Sequence, residues 1–112
     1  MAKLKSYKMF INGEWVESES KKTFETLNPE NNKPWARVPE ANAKDVDKAV
    51  RAAQKAFEGE WPKLLPRERG KFLRLIGNKL RDNAELLGKI ETLDTGKLYR
   101  ETYKQANYIA EY

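Results

Sequence analysis

The stretch RERGKFLRLIGNKLRDNAELLGKIETLDTGK, residues 67–97, contains two consecutive helical patterns. Apolar residues recur in both at spacings of three and four, which is typical of amphipathic helices that bury one face. Gly96 stands where a helix ends in the left-handed conformation, and the charge of Lys97 offsets the negative helix end. The stretch therefore predicts a pair of helices that stops at Gly96. The apolar positions are Phe72, Leu73, Leu75, Ile76 and Leu80, then Leu86, Leu87, Ile90 and Leu93.

The end of this stretch, Thr95-Gly96-Lys97, contains part of a nucleotide-binding loop pattern. A Walker loop requires a glycine five positions before its second glycine and a serine or threonine after the lysine. Glu91 and Leu98 occupy those two positions in this sequence. The pattern therefore does not indicate a phosphate-binding loop.

Further helical patterns lie on both sides of the central pair. Asn42 predicts the N-cap of a preceding helix, with Asp45 at the position that completes a capping box. A fourth pattern begins near Leu98 and runs to the last residue without a stop signal. We therefore expect four amphipathic helices at most and a chain that is truncated at Tyr112.

The first third of the sequence predicts strands and turns. Asn12-Gly13 lies between two short apolar runs, and this dipeptide favours the positive φ angles of a type I′ hairpin turn. The turn residues 28–33 separate two more extended segments, of which the second contains Pro34 and Pro39. Proline donates no hydrogen bond, so we expect that segment to be an edge strand or irregular. The fold class is α+β, with β-hairpins over about residues 7–40 and three to four helices over about 43–112.

Composition excludes several kinds of chemistry. The 112 residues are 39% hydrophobic and 35% charged, and they include neither cysteine nor histidine. Disulfides, thiol catalysis, zinc–thiolate sites and a Ser-His-Asp triad are therefore excluded for this chain. No apolar run is long enough to span a membrane, and the first ten residues lack the apolar segment of a secretory signal. We expect a cytoplasmic protein with no membrane partner.

The net charge of +5 raises the question of nucleic-acid binding. A nucleic-acid footprint is a one-sided basic stripe or cluster. Acidic and basic residues alternate here, as in KAVRAAQKAFEGE, residues 48–60. The pattern favours a solvated surface, and we expect no nucleic-acid partner.

Several blocks in one order make the chain similar to a known family. The sequence resembles the N-terminal segment of the NAD(P)-dependent aldehyde dehydrogenase superfamily. Its motifs are most similar to those of the betaine-aldehyde and aliphatic branches. The resemblance extends from about Phe10 to Tyr112. It implies that residues 1–112 are the start of the α/β, Rossmann-like cofactor-binding domain, truncated at Tyr112. The blocks are FINGEWV, TFETLNP, VPEANAKDVDKAVRAAQKAFEGEW, RERGKFLRLIGNKLRDNAELLGKIETLDTGK and ANYIAEY.

The resemblance also implies an activity for the intact protein. Members of the family oxidise an aldehyde to a carboxylic acid with NAD or NADP, through a cysteine thiohemiacetal and a thioester. The implied partners are an aldehyde substrate, the remainder of the polypeptide and further copies in a homo-oligomer. No catalytic or cofactor-binding residue carries over to these 112 residues, so the chain alone is expected to be inactive. The alternative is an autonomous α+β interaction or scaffolding module without enzymatic activity.

One site of the family has matching positions in this chain. In several members a monovalent cation, Na⁺ or K⁺, is held by backbone carbonyls before the Asn-Pro pair and by the aspartate of the helix end. The matching ligands here are Thr26, Leu27 and Asp94. Hard cations prefer such oxygen ligands. The alternative is that Asp94 and Thr95 only cap the following helix.

Overall fold

The computed structural model describes residues 4–112, and this part of the chain folds as the α+β class that the sequence predicts. It forms two compact units. The first contains the described residues up to Leu27 together with Pro34–Lys63, and the second contains Asn28–Lys33 with Leu64–Tyr112. The strands are β1 Lys5–Ser6, β2 Met9–Ile11, β3 Glu14–Val16, β4 Thr23–Asn28 and β5 Lys33–Pro39, and a 3₁₀ turn spans Trp61–Lys63. The helices are α1 Ala43–Glu58, α2 Pro66–Asp82, α3 Ala84–Thr95 and α4 Tyr99–Ile109.

The predicted hairpin at Asn12-Gly13 is confirmed. Strands β2 and β3 pair antiparallel, with Met9 opposite Val16. Asn12 has φ 53° and Gly13 has φ 81°, so both central residues of the turn adopt the positive angles of a type I′ turn. The dipeptide therefore determines the register of this hairpin.

The expectation of an edge position for the segment with two prolines is wrong. Strand β5 is the middle strand of a three-stranded sheet in the order β1-β5-β4. Strand β1 pairs with it in parallel through Lys5 opposite Ala36. The two prolines lie near the two ends of β5, so the paired central residues keep their backbone donors and acceptors. Ala36 is fully buried at this point.

The predicted capping box of α1 is confirmed. The Asn42 side chain accepts hydrogen bonds from the backbone N–H groups of Lys44 at 2.9 Å and Asp45 at 3.0 Å. The Asp45 carboxylate accepts the Asn42 N–H in return, at 3.0 Å. Reciprocal capping satisfies backbone donors that a helix N-terminus otherwise leaves unpaired.

Asp45 also connects α1 to the segment after β3. Its carboxylate is buried and accepts the Ser18 hydroxyl at 2.9 Å and the Glu19 N–H at 3.0 Å. The pKa of Asp45 is lowered, mainly by the hydrogen bond from the Asn42 N–H. Desolvation raises this pKa, but the Glu19 N–H, the Ser18 hydroxyl and the Lys48 charge lower it further. The ionised form of Asp45 therefore stabilises the first unit.

We expect Asp45→Asn to destabilise the first unit at neutral pH. A carboxyl whose pKa is lower in the folded state adds stability above its unfolded pKa, and this stability is lost as the pH falls through the folded pKa. The variant should therefore unfold more easily than the parent at about pH 7, and the difference should shrink below about pH 4. Chemical unfolding at a series of pH values measures it. A gap between parent and variant that stays constant down to acid pH would contradict the assignment.

The second unit is built around the packing of α3 against α4. Gly88 of α3 faces the backbone of Tyr103, to which an added Cβ would come within 3.0 Å. Thr102 of α4 is fully buried, and its hydroxyl lies 2.9 Å from the Gly88 carbonyl oxygen and 3.0 Å from the Thr92 hydroxyl. Gly88 thus permits close contact between α3 and α4 because it has no side chain. The buried Thr102 hydroxyl hydrogen-bonds to polar groups in this interface.

The last helix ends earlier than its sequence pattern indicates. Helix α4 stops at Ile109 and is followed by a turn, in which the N–H of Tyr112 donates to the Ile109 carbonyl at 3.3 Å. Within residues 4–112, no helix has the length and apolar character needed to cross a membrane.

Helix α2 keeps a largely apolar face exposed. Phe72 is 48% exposed, Leu75 59% and Ile76 56%. An apolar patch of this kind usually promotes association. We expect the 112-residue chain to self-associate and to bind a hydrophobic dye, and the double variant Leu75→Gln, Ile76→Gln to do both less. Analytical ultracentrifugation and dye fluorescence measure these effects, and a dye-silent monomeric parent would disprove the expectation.

Candidate functional site

The predicted helix stop at Gly96 is confirmed, and it places Asp94 in the last turn of α3. Gly96 has φ 75°, and its N–H donates to the Thr92 carbonyl at 2.9 Å. An added Cβ on Gly96 would lie 3.0 Å from Cγ of Pro29. Both the positive φ and this close approach favour glycine. Asp94 is exposed at the end of the helix.

The alternative prediction, that Asp94 and Thr95 cap the following helix, is wrong. The N-cap of α4 is Leu98, which makes no side-chain capping hydrogen bond. The Thr95 hydroxyl instead donates back to the Glu91 carbonyl at 2.7 Å. Asp94 and Thr95 are the last residues of α3 and do not begin the next helix.

Lys97 stabilises the same helix end. Its ammonium group lies 2.7 Å from the Glu91 carboxylate, while its N–H lies 3.4 Å from the Thr95 hydroxyl. A positive charge after a helix C-terminus also interacts favourably with the helix dipole. The turn from α3 to α4 is therefore held by side chains on both sides of Gly96.

The other two predicted cation ligands are neighbours in β4. Thr26 is half-buried and Leu27 is 44% exposed. They belong to the first compact unit, whereas Asp94 belongs to the second. The three-residue cation site stays a prediction.

Side chains alone do not form a metal centre in the described part of the chain. Among residues 4–112, no three or more His, Cys, Asp or Glu side chains are grouped as metal ligands. A cation held at Asp94 would therefore use backbone carbonyl oxygens in addition to one carboxylate, as a hard monovalent or divalent ion does.

Helix α3 carries an exposed ion pair within its own length. Glu85 and Lys89 form a salt bridge of 2.5 Å one helical turn apart. Their hydrogen bond is the main cause that lowers the pKa of Glu85 and raises that of Lys89. Both groups are exposed, so the pair contributes little to stability.

Sequence analysis did not single out Asn28. This residue is buried, with only 8% of its surface exposed. Its side-chain oxygen accepts the Glu30 N–H at 2.9 Å, which is the hydrogen bond of an Asx turn. The Asn-Pro pair after an extended run is the sequence signal for that turn. Burial of the side chain is a consequence of the tertiary fold and has no local signal.

A family model described as "Aldehyde dehydrogenase family" matches residues 15–112. The chain belongs to the aldehyde dehydrogenase family. An aldehyde dehydrogenase of Aspergillus niger is 51% identical over 89 residues, which cover 80% of this chain and 18% of that protein. These two matches confirm the resemblance that the sequence blocks indicate.

Solved structures of aldehyde dehydrogenases have the same fold over nearly the whole chain. The NAD-dependent aldehyde dehydrogenase from Sinorhizobium meliloti matches with a TM-score of 0.92 and 31% identity, over 96% of this chain and 22% of that one. The betaine aldehyde dehydrogenase from Staphylococcus aureus, solved in complex with NAD⁺, matches with a TM-score of 0.88 and 40% identity, over 92% and 21%. The chain spans about a fifth of the length of these relatives.

Proposed function

We propose that residues 1–112 form the N-terminal part of the cofactor-binding domain of an NAD(P)-dependent aldehyde dehydrogenase. The observation that carries the proposal is the match to the Sinorhizobium meliloti enzyme, with a TM-score of 0.92 over 96% of the chain. A match of this extent includes both compact units and every helix of the chain. The intact protein would oxidise an aldehyde to a carboxylic acid.

The residue types of this chain indicate which part of the intact protein would carry the chemistry. Oxidation through a thioester requires a cysteine thiolate, and this chain contains no cysteine. The nucleophile, the nicotinamide site and the aldehyde site would therefore belong to the remainder of the polypeptide, and the intact protein would form a homo-oligomer. A reducing cytoplasm would keep the catalytic thiol available. The part played by residues 1–112 is to provide the framework on which that machinery is positioned.

A chimeric enzyme tests this proposal. The segment of the Staphylococcus aureus betaine aldehyde dehydrogenase that matches this chain is replaced by residues 1–112, and reduction of NAD⁺ is followed by absorbance. We expect the chimera to fold and to turn over betaine aldehyde, and the isolated chain to give no turnover. A chimera that folds and assembles but binds no NAD⁺ would contradict the proposal, as would turnover by the isolated chain.

We also propose that Thr26, Leu27 and Asp94 hold a Na⁺ or K⁺ ion in the intact protein. The helix stop at Gly96 supports this, because it leaves the Asp94 carboxylate exposed at the end of α3. An ion that binds only the folded state raises the melting temperature with its concentration.

We expect the chimera to melt at a higher temperature in NaCl or KCl than in choline chloride at equal ionic strength. Asp94→Ala should remove this difference, because it deletes the only charged ligand of the proposed set. Asp82→Ala is the matched control, since Asp82 is the last residue of α2 and lies outside the set. Calorimetry at fixed ionic strength measures the effect. An identical cation response in parent and Asp94→Ala would rule out the site.

A further inference from the structure

The turn between β2 and β3 contains the only Asn-Gly pair of the sequence. The backbone nitrogen of the residue after an asparagine can attack the side-chain amide carbon, because the two atoms close a five-membered ring. Glycine hinders this attack least, since no side chain shields its nitrogen. Asn12 and Gly13 are both exposed, and a Cβ added to Gly13 would meet no atom within 4 Å beyond its chain neighbours. The reacting groups are therefore open to each other and to water.

Hydrogen bonds do not occupy either reacting group. The two strands are paired through the residues that flank the turn, Ile11 and Glu14, as a two-residue hairpin requires. Within residues 4–112, the Gly13 N–H donates to no acceptor and the Asn12 side chain makes no hydrogen bond. The Gly13 nitrogen can therefore approach the Asn12 amide without the loss of a hydrogen bond at either group.

The asparagines of the turn between β4 and β5 are protected from the same reaction. Pro29 follows Asn28, and a proline nitrogen has no hydrogen to lose. Asn31 and Asn32 are exposed, but the nitrogen that follows each of them is engaged. The Asn32 N–H donates to the Asn28 carbonyl at 2.7 Å, and the Lys33 N–H donates to Oδ1 of Asn31 at 3.0 Å.

The asparagines in and beside the helices are held as well. Asn42 accepts two backbone N–H groups as the N-cap of α1. The side-chain Nδ2 atoms of Asn83 and Asn107 donate to the carbonyl four residues earlier, at 2.8 Å and 2.9 Å. Asn78 lies inside α2, where the next N–H belongs to the hydrogen bonding of the helix. The structure thus distinguishes Asn12 from every other asparagine in the described part of the chain.

We propose that Asn12 is a site of spontaneous deamidation. The Gly13 nitrogen loses its proton to water and bonds to Cγ of Asn12, while Nδ2 takes up a proton and leaves as ammonia. Water then opens the resulting succinimide at either carbonyl carbon, which produces an aspartyl or an isoaspartyl residue at position 12. The attack requires the Asn12 main chain to rotate out of the turn geometry. A hairpin of three residue pairs opens locally at a small cost in free energy, so this rotation is accessible.

The two products have different effects on the hairpin. An aspartyl residue tolerates positive φ as asparagine does, so it retains the turn. An isoaspartyl residue directs the main chain through Cβ and adds one methylene group to a turn that sets the strand register. The contact of Phe10 with Trp15 across the strands, with ring centroids 5.0 Å apart, should then be lost. Deamidation at Asn12 therefore disassembles this hairpin as the protein ages.

Peptide mapping by mass spectrometry tests the proposal on the 112-residue chain, incubated at mildly alkaline pH. This measurement reports conversion at each asparagine whatever the association state of the protein. Asn31 and Asn32 are matched controls within the same chain, since both are exposed turn residues. We expect Asn12 to convert at least about tenfold faster than either, because a hydrogen bond must first break at the controls. The rate at Asn12 should rise with pH, since the Gly13 nitrogen must lose its proton.

Two variants examine the mechanism and its consequence. Gly13→Asn keeps a residue that tolerates positive φ but shields the attacking nitrogen, so conversion at Asn12 should slow severalfold. Asn12→Asp represents the aspartyl product, and NMR should detect the Phe10–Trp15 contact in it but not in the isoaspartyl fraction of the aged parent.

Three results would overturn the proposal. They are conversion at Asn12 no faster than at Asn31 and Asn32, equal conversion at Asn12 in the parent and in Gly13→Asn, and a Phe10–Trp15 contact that survives in the isoaspartyl fraction. The first of these comparisons uses the parent alone and does not depend on the folding of any variant.

Discussion

Replacement of Gly88 by valine is expected to lower the free energy of unfolding of the second unit by about 2–3 kcal/mol. A Cβ at this position would lie 3.0 Å from the nitrogen and 3.1 Å from the Cα of Tyr103, and 3.2 Å from Cε2 of Tyr99. Two of these atoms belong to the backbone of α4, which a rotamer change cannot move. The β-branched side chain must therefore push the two helices apart, and contacts along the α3–α4 interface are lost.

Urea unfolding followed by circular dichroism measures this effect, and Gly70→Val is the matched control. Gly70 also lies inside a helix, α2, but an added Cβ there would meet no atom within 4 Å. The same substitution at Gly70 should change stability by less than about 0.5 kcal/mol, because valine and glycine differ only modestly in helix propensity. Equal losses at the two positions would show that propensity, and not the contact of α3 with α4, determines the result.

Replacement of Thr102 by valine is expected to destabilise the α3–α4 pair by about 2 kcal/mol. Valine has nearly the shape of threonine, so packing is retained and only the hydroxyl is lost. That hydroxyl lies 2.9 Å from the Gly88 carbonyl oxygen, 3.0 Å from the Tyr99 carbonyl oxygen and 3.0 Å from the Thr92 hydroxyl. Thr102 is fully buried, so water cannot replace it for the Gly88 oxygen or the Thr92 hydroxyl without opening the interface.

Native-state hydrogen exchange of the α3 and α4 amides is the suitable measurement, since it reports the local free energy of opening. Thr102→Ser keeps the hydroxyl and removes one methyl group, and it should retain most of the protection that Thr102→Val loses. If serine instead proves as damaging as valine, the methyl group carries the stability and the hydrogen bonds contribute little.

Features encoded by a few adjacent residues were predictable from the sequence. The Asn12-Gly13 turn, the Asn42–Asp45 capping box and the stop at Gly96 all occur in the structure. Each depends on backbone angles or hydrogen bonds within four residues, so its physical cause is local.

Contacts between distant residues were not predictable in the same way. Sequence patterning did not indicate β1 or its parallel pairing with β5, and the expectation of an edge position for β5 was wrong. The hydrogen bond from Ser18 to Asp45 and that from Thr102 to Gly88 were also missed. Periodicity shows that a residue faces a neighbour, but the identity of that neighbour depends on the topology of the chain.

The predicted cation ligands and the burial of Asn28 differ in the same respect. Thr26, Leu27 and Asp94 follow from family resemblance, because they occupy motif positions. The burial of Asn28 follows from no motif, because it is a consequence of the tertiary fold.

The parallel pairing of β1 with β5 has a consequence for the order in which the chain acquires its structure. Lys5 and Ser6 reach their partners, Ala36 and Arg37, only after β2, β3 and β4 have been synthesised and placed. Contacts between residues far apart in sequence incur a larger loop-closure entropy than those between adjacent helices such as α3 and α4. The helical hairpin of the second unit should thus assemble rapidly and independently, while the first strand joins its sheet among the late steps of folding.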